Sequence, residues 1–297
     1  LMDSLYAKVR KGDFKPGYEP CPEYKEAVGS SWDDFRKDAG EGYEIASHSI
    51  THATMPGLDE ANIRYELEKS KEEIKNQLGD KYTFSTEVPY GYEDDRVMQI
   101  AYKIYPALRN RMPEPFLKEI DRASKEVPHP TNKDYIQWQR GPLHKTPLTL
   151  MKSWVDTTYA NKDMWLVLVF HGIDSLGWEP TPIPKLEEYF NYIKDREDKL
   201  WIATFGDATK YMREREHAII NTSEKDGKIS VSLTHSLDKT MYDLQLTLKT
   251  YVPDKWSKVT LSQGTNTKTV DVRHDEKGAY VLYQADPNTT NSVLSGS

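Results

Sequence analysis

The chain has one cysteine, Cys21, which excludes an internal disulfide and a cysteine-rich metal cluster. No apolar run reaches the roughly 18 residues that a membrane-crossing helix needs, so no membrane span is read from the sequence. Positive charge is in deficit: 40 Lys and Arg stand against 47 Asp and Glu, a formal net charge of −7 at pH 7. That balance argues against nucleic acid and anionic membrane as partners. No leader peptide is visible, and the chain, starting at Leu1, reads as cut at its front. Internal repeats are absent as well.

What is there is a soluble, globular composition, 37% hydrophobic and 29% charged over 297 residues, enough for one large domain or a domain with an appendage. Residues 1–40 are polar and broken by Gly and Pro, with a helix expected near Ser31–Ala39 capped by Ser30 or Ser31. Helices are also expected over Asp59–Leu78 (apolar stripe Ile63, Leu67, Ile74, Leu78, capped by Asp59), Glu93–Leu108, Thr146–Ala160, Pro184–Arg196 and Gly206–Arg215. Buried strands are expected at Tyr82–Ser85, Met164–Phe170 and Leu200–Phe205. Residues 109–133 read as irregular and Pro-rich, a rim loop or a short helix. Alternating strands and helices imply a parallel β/α architecture.

Composition shifts near residue 219. Ile229/Val231/Leu233, Tyr242/Leu244/Leu246/Leu248, Val259/Leu261, Val270/Val272 and Tyr280/Leu282 alternate with polar residues, and Asp226-Gly227 and Lys277-Gly278 mark turns. This predicts a small antiparallel β-sandwich over 219–287, with structural packing as its expected role and glycan binding as the alternative. The Ser/Asn/Thr-rich tail, 288–297, is expected to be disordered.

The stretch with most chemistry is Glu44-Ile45-Ala46-Ser47-His48-Ser49-Ile50-Thr51-His52. His48 and His52 stand four apart, and on a helical turn both imidazoles face one point, as two ligands of a divalent metal such as zinc. Two surface histidines are the plain alternative. Further on, the apolar run Met164–Phe170 ends in His171, where a barrel enzyme places catalytic groups. A histidine there suits general acid work because it titrates near neutrality, and a core histidine capping the strand is the alternative.

These residues resemble the polysaccharide deacetylase (NodB-homology) family, carbohydrate esterase family four. Its H-[S/T]-x-x-H metal motif matches at His48 and His52, behind Glu41-Gly42-Tyr43-Glu44-Ile45, where Tyr43 replaces the family's His. Pro89-Tyr90-Gly91 resembles the third motif, whose Tyr backbone N–H helps hold the oxyanion; Glu87 stands where that motif has Arg, and a plain turn is the alternative. Asp134 and Trp138 fit the fourth motif, with Gln137 in place of its second Asp. Trp138 is then a candidate wall for an acetyl methyl and Arg140 a candidate substrate or carboxylate contact, against the alternatives of core Trp and surface Arg. His171 corresponds to the general acid of the fifth motif, and Asp174 and Trp178 follow as candidate groove residues.

The resemblance covers about residues 30–215 and implies a distorted (β/α) barrel over 1–218, incomplete at its N-terminus. It implies metal-assisted hydrolysis of an N- or O-linked acetyl group from a polysaccharide or oligosaccharide, in a secreted, periplasmic or cell-surface protein. The family's Asp-Asp pair, source of the base and third ligand, is not found upstream of His48. Asp33-Asp34, the only Asp pair there, reads as a solvated helix start. Weak activity is therefore expected of this chain by itself. The rival is a non-catalytic glycan-binding relative that keeps the fold.

Overall fold

A computed structural model describes residues 30–91, 94–109, 120–122, 135–141 and 143–297. The expectations for residues 1–29 and for Asp134 lie outside them. The architecture is α/β, and the chain divides into two compact units, Leu1–Arg109 with Gly206–Ser297, and Asn110–Phe205.

In the first unit α1 (Trp32–Gly40) opens with a capping box. Ser31 Oγ accepts from Asp34 N at 3.3 Å and the Asp34 carboxylate accepts from Ser31 N at 2.8 Å. Those bonds hold the Asp34 carboxyl below its usual range, the Ser31 hydroxyl first among the causes. Asp34 thus serves as a cap, as its position after a serine suggests. α2 (Glu60–Leu78) is capped by Asp59, which accepts from Asn62 N at 2.8 Å, and ends at Gly79, φ +102°. The expected strand at Tyr82–Ser85 is instead a 3₁₀ turn over Asp80–Thr83 followed by β1 (Ser85–Thr86). α3 (Asp95–Ile104) is shorter than its pattern suggested; the chain then turns extended into β2 (Ala107–Leu108), parallel to β1. Ile63, Leu67, Val88, Val97, Ala101 and Tyr105 are fully buried together in the core of this segment.

Helix α6 (Phe205–Glu216) follows later in the chain, after the elements of the second unit. At residue 206 a Cβ would meet Glu44 Oε1 at 2.5 Å and push that carboxylate aside, and the Glu44 carboxylate accepts from Gly206 N at 2.8 Å at the helix N-terminus. Ser85 Oγ donates to the same carboxylate.

Eight strands complete this unit: β6 (Ile219–Lys225), β7 (Lys228–Thr234), β8 (Leu246–Tyr251), β9 (Lys258–Gln263), β10 (Asn266–Asp271), β11 (Arg273–Asp275), β12 (Gly278–Ala285) and β13 (Ser292–Gly296). They form antiparallel sheets of order β10-β9-β13-β7-β6 and β11-β12-β8, and residues of both sheets share one apolar core. Two expectations fail here. Along β12 the core face is Ala279, Val281, Tyr283 and Ala285, not Tyr280 and Leu282. Both faces of that strand are apolar, and a pattern of period two cannot choose between them. The tail is also ordered: β13 lies between β7 and β9, and Leu294 is completely buried. Its polar composition hides a short apolar pair, Val293-Leu294, whose backbone is paired on both sides. Compactness divides the chain at Phe205 rather than at residue 218 because α6 bonds to the strands that follow: Thr247 N donates to Tyr211 Oη at 3.2 Å and Leu244 N to Glu214 Oε1 at 3.1 Å.

The second unit holds a parallel sheet of order β3-β4-β5 built from Ile120–Arg122, Tyr135–Arg140 and Met164–Leu168. Helix α4 (Leu148–Ala160) joins β4 to β5, and α5 (Ile183–Lys194) follows. Leu143, Met151, Val155 and Tyr189 are its buried centre. The expected strand Leu200–Phe205 does not form: residues 201–204 lie in no regular element, and Trp201 and Ile202 are 60% and 53% exposed. An apolar run alone does not make a strand, because a strand also needs a neighbour in register.

Candidate functional site

The chain from Ser47 to Thr54 is not helical. Ser47 bridges to Thr86 in parallel, and Glu87 N donates back to Ser47 O at 3.0 Å, so the loop leaves the edge of the β1–β2 pair. Ser49 and His52 both have left-handed backbones, φ 70° and 57°, and Ser49 Oγ accepts from His52 N at 2.9 Å. Each such residue costs on the order of 1 kcal/mol. Glu66, on α2 and 6% exposed, offsets that cost. Its carboxylate accepts from Ile50 N at 3.1 Å, Thr51 N at 2.9 Å and Thr51 Oγ1 at 2.7 Å. The turn brings the rings of His48 and His52 to 4.9 Å, edge to face. The pair is therefore close, as expected from its spacing, but through a strained turn pinned by a buried carboxylate and not through a helical face.

His48 Nδ1 lies 3.0 Å from the Glu87 carbonyl oxygen. A carbonyl only accepts, so Nδ1 carries a proton, and in the neutral ring the lone pair is on Nε2. Metal-binding histidines use this arrangement, with the second ring nitrogen donating to a carbonyl or carboxylate. Glu87 also places a carboxylate oxygen 3.9 Å from the same nitrogen and forms an ion pair with Arg109. Arg109 directly follows β2, its N–H donating to Thr86 O at 3.1 Å. Burial pushes its guanidinium down to about 10, still charged at neutral pH. The ring of Tyr90 stands 4.5 Å from that of His52. Tyr90 sits in a 3₁₀ turn over Pro89–Gly91 with φ 62°, and its side chain is 54% exposed. His48 and His52 thus fit two positions of a metal's ligand set. Among the described residues no group of three His, Cys, Asp or Glu completes it.

In the second unit His171 is exposed, three residues past β5, which ends at Leu168 and not at Phe170. Its ring meets Trp178 edge to face at 4.5 Å, and Trp178 is 64% exposed. The loop between them is tight: Gly172 N donates to Trp178 O at 2.7 Å, and a Cβ on Gly172 would lie 2.1 Å from Leu176 O. Asp174 Oδ1 accepts from Ile183 N at 2.9 Å, so this carboxylate ties the loop to the start of α5. Trp138 and Arg140 are 3% and 6% exposed, with the Arg140 guanidinium stacked 3.9 Å over the Trp138 ring. They form a buried cation–π stack on β4, the middle strand of its sheet. Burial pushes Arg140 down to about 10.

Residues 23–107 match the polysaccharide deacetylase family. The match spans the His48/His52 turn, Glu66 and Pro89-Tyr90-Gly91, and stops short of Arg109 and His171. A gellan lyase from a Bacillus species is 27% identical over 272 residues, 86% of this chain and 11% of the relative. The chain thus spans about a tenth of the curated relative it matches. No solved structure matches the chain.

Two residues of this matched segment and its edge escape sequence reading. Glu66 had no local signal: Asn62, Glu66 and Ser70 are polar and four apart, which reads as a solvent face, and only the fold shows them buried. Arg109 had none, because the apolar pattern that runs to Leu108 masks the end of the helix at Ile104.

Proposed function

We infer that the chain is a carbohydrate-modifying hydrolase module that removes acetyl groups from a polysaccharide or oligosaccharide with the help of a divalent metal, zinc first among candidates. The observation that carries this reading is the His48–His52 ring pair, with His48 Nδ1 fixed on the Glu87 carbonyl at 3.0 Å, inside the segment that matches the deacetylase family. His48 and His52 would hold the ion. When bound, such an ion polarises an acyl carbonyl and lowers the pKa of water. The backbone N–H of Tyr90 serves the oxyanion. By the family resemblance His171 is the candidate general acid for the leaving amine or alcohol, and exposed Trp178, in contact with its ring, is a candidate support for a sugar ring. Asp174 holds the loop that displays both, and Trp138 and Arg140 keep β4 in place. The reading assigns the first 218 residues to the family's distorted β/α barrel and the strands after them to a β-sandwich. It places the protein outside the cell, where polysaccharide is met; no helix of the described residues is long and apolar enough to cross a membrane.

A second reading, a non-catalytic glycan-associated module, has one observation in its favour: the two histidines gain no third His, Cys, Asp or Glu among the described residues. The chain's small share of a gellan lyase also suits a module working on a polysaccharide beside another activity. Acetate release from acetylated oligosaccharides with added zinc separates the readings. The hydrolase reading expects acetate, with His171→Ala lowering the rate by about 10²–10⁴-fold. An ultraviolet-absorbing unsaturated sugar in place of acetate would indicate elimination, the lyase chemistry named in the relative. Neither product from any acetylated sugar would leave the glycan-associated module.

A further inference from the structure

The β strands after residue 219 carry a groove that the deacetylase reading does not use. Its volume is about 420 Å³, a size suited to a small ligand or a few sugar rings. Gln263 at the end of β9, Asn266 and Lys268 on β10, Gln284 near the end of β12, Asp286 just past it and Gln245 just before β8 wall it in. The remainder is threonine around the buried Leu261. Both sheets therefore contribute.

The amides are fixed before any ligand arrives. Gln263 Nε2 donates to Gln284 O at 2.9 Å and to Ser292 Oγ at 3.0 Å. A primary amide has two N–H groups and one carbonyl, so Gln263 presents its carbonyl as an acceptor. Gln245 Nε2 donates to Asp286 Oδ2 at 3.1 Å, and Gln284 Nε2 to Thr247 Oγ1 at 2.8 Å. Each of these two groups keeps a second N–H. The wall thus interleaves donors and acceptors, which hydroxyls, able to give and take a hydrogen bond, satisfy in pairs. One lysine and one aspartate leave it without net charge. It has neither an arginine fork for phosphate nor an apolar wall for a hydrophobic ligand.

We propose that this groove binds a neutral saccharide chain, giving the protein a carbohydrate contact separate from the His48–His52 turn. The test is a titration of the full ¹⁵N-labelled chain, in the presence of a chelator, with cellohexaose, with N-acetylated chitohexaose and with hexaglycine as a peptide control. Expected are amide shifts over 263–268 and 284–290 with at least one of the two sugars and none with hexaglycine. Asn266→Ala combined with Gln284→Ala weakens that binding about tenfold, the loss of roughly one or two hydrogen bonds. Asn266→Ala alone, at an exposed hairpin position, weakens it in the same direction without change in melting temperature. Absence of shifts with both sugars at their solubility limit overturns the proposal, as do equal shifts with hexaglycine or unaltered binding in the double variant. The chelator makes failure here distinct from failure of the metal reading.

Discussion

Glu66→Ala is expected to destabilise the protein by about 3–4 kcal/mol and to lower its metal affinity about 10–100-fold. The Glu66 carboxylate is 6% exposed and receives three hydrogen bonds, from Ile50 N, Thr51 N and Thr51 Oγ1. Removing it leaves three donors without their acceptor in the turn that carries His48 and His52. A hydrogen bond to a charged group contributes about 1.5–3 kcal/mol, and a buried donor left alone costs about 1–3 kcal/mol. The left-handed Ser49 and His52 then lose what holds them in place. Urea denaturation reads the stability, and zinc titration of the folded variant reads the affinity. Unchanged zinc affinity in a folded Glu66→Ala protein would show that the turn does not depend on this carboxylate.

Glu214→Gln is expected to remove the fall in stability that Glu214 imposes between pH 4.5 and 7, a change of about 3 kcal/mol across that window, and to leave the opposing rise from His235. Glu214 on α6 and His235 after β7 face each other at 3.3 Å, both side chains fully buried. Burial pushes the Glu214 carboxyl up to about 7, and burial pushes His235 down. His235 Nδ1 accepts from Leu237 N at 3.2 Å, so the neutral ring carries its proton on Nε2, toward Glu214. The sign for Glu214 follows from proton counts. Between 4.5 and 7 the unfolded chain has released this proton and the folded chain still holds it, so stability falls as pH rises. For His235 the unfolded chain holds the extra proton below 6.5, so stability rises with pH up to that point. Above 6.5 the Glu214 loss alone remains. Glutamine has the shape of the protonated acid and no charge to lose, so the variant keeps only the histidine's rise. Denaturation midpoints at pH 5, 6, 7 and 8 test this, and parallel profiles for the two proteins would count against it.

The starts of the helices were legible in the sequence because caps are local: Ser31 with Asp34, and Asp59 before α2, announce themselves within one turn. Ends were less so. Ile104, where α3 gives way to β2, lies in an apolar pattern that continues to Leu108, and the same error concealed Arg109. Strands were legible where one face is polar, as along β7 and β8, and ambiguous where both faces are apolar, as along β12. Leu200–Phe205 and the tail erred in opposite directions because pairing is long-range: the apolar run 201–204 joins no element, while Ser292–Gly296 is flanked by two strands far back in the chain. The histidine pair was legible from its spacing, yet the physical cause was not. Proximity depends on Glu66, 14 residues beyond His52 in the chain, whose carboxylate no short motif includes. Burial of Trp138 and Arg140 was equally beyond reach, since a Trp beside an Arg reads the same on a rim as in a core.

Elemental analysis of the purified chain after zinc loading and dialysis, wild type beside the His48→Ala/His52→Ala double variant, tests the metal assignment most directly. About one equivalent of zinc or a similar divalent metal in the wild type, lost in the variant, is the expected result. Absence of metal from the wild type, or equal metal in both, would contradict the assignment of His48 and His52 as ligands.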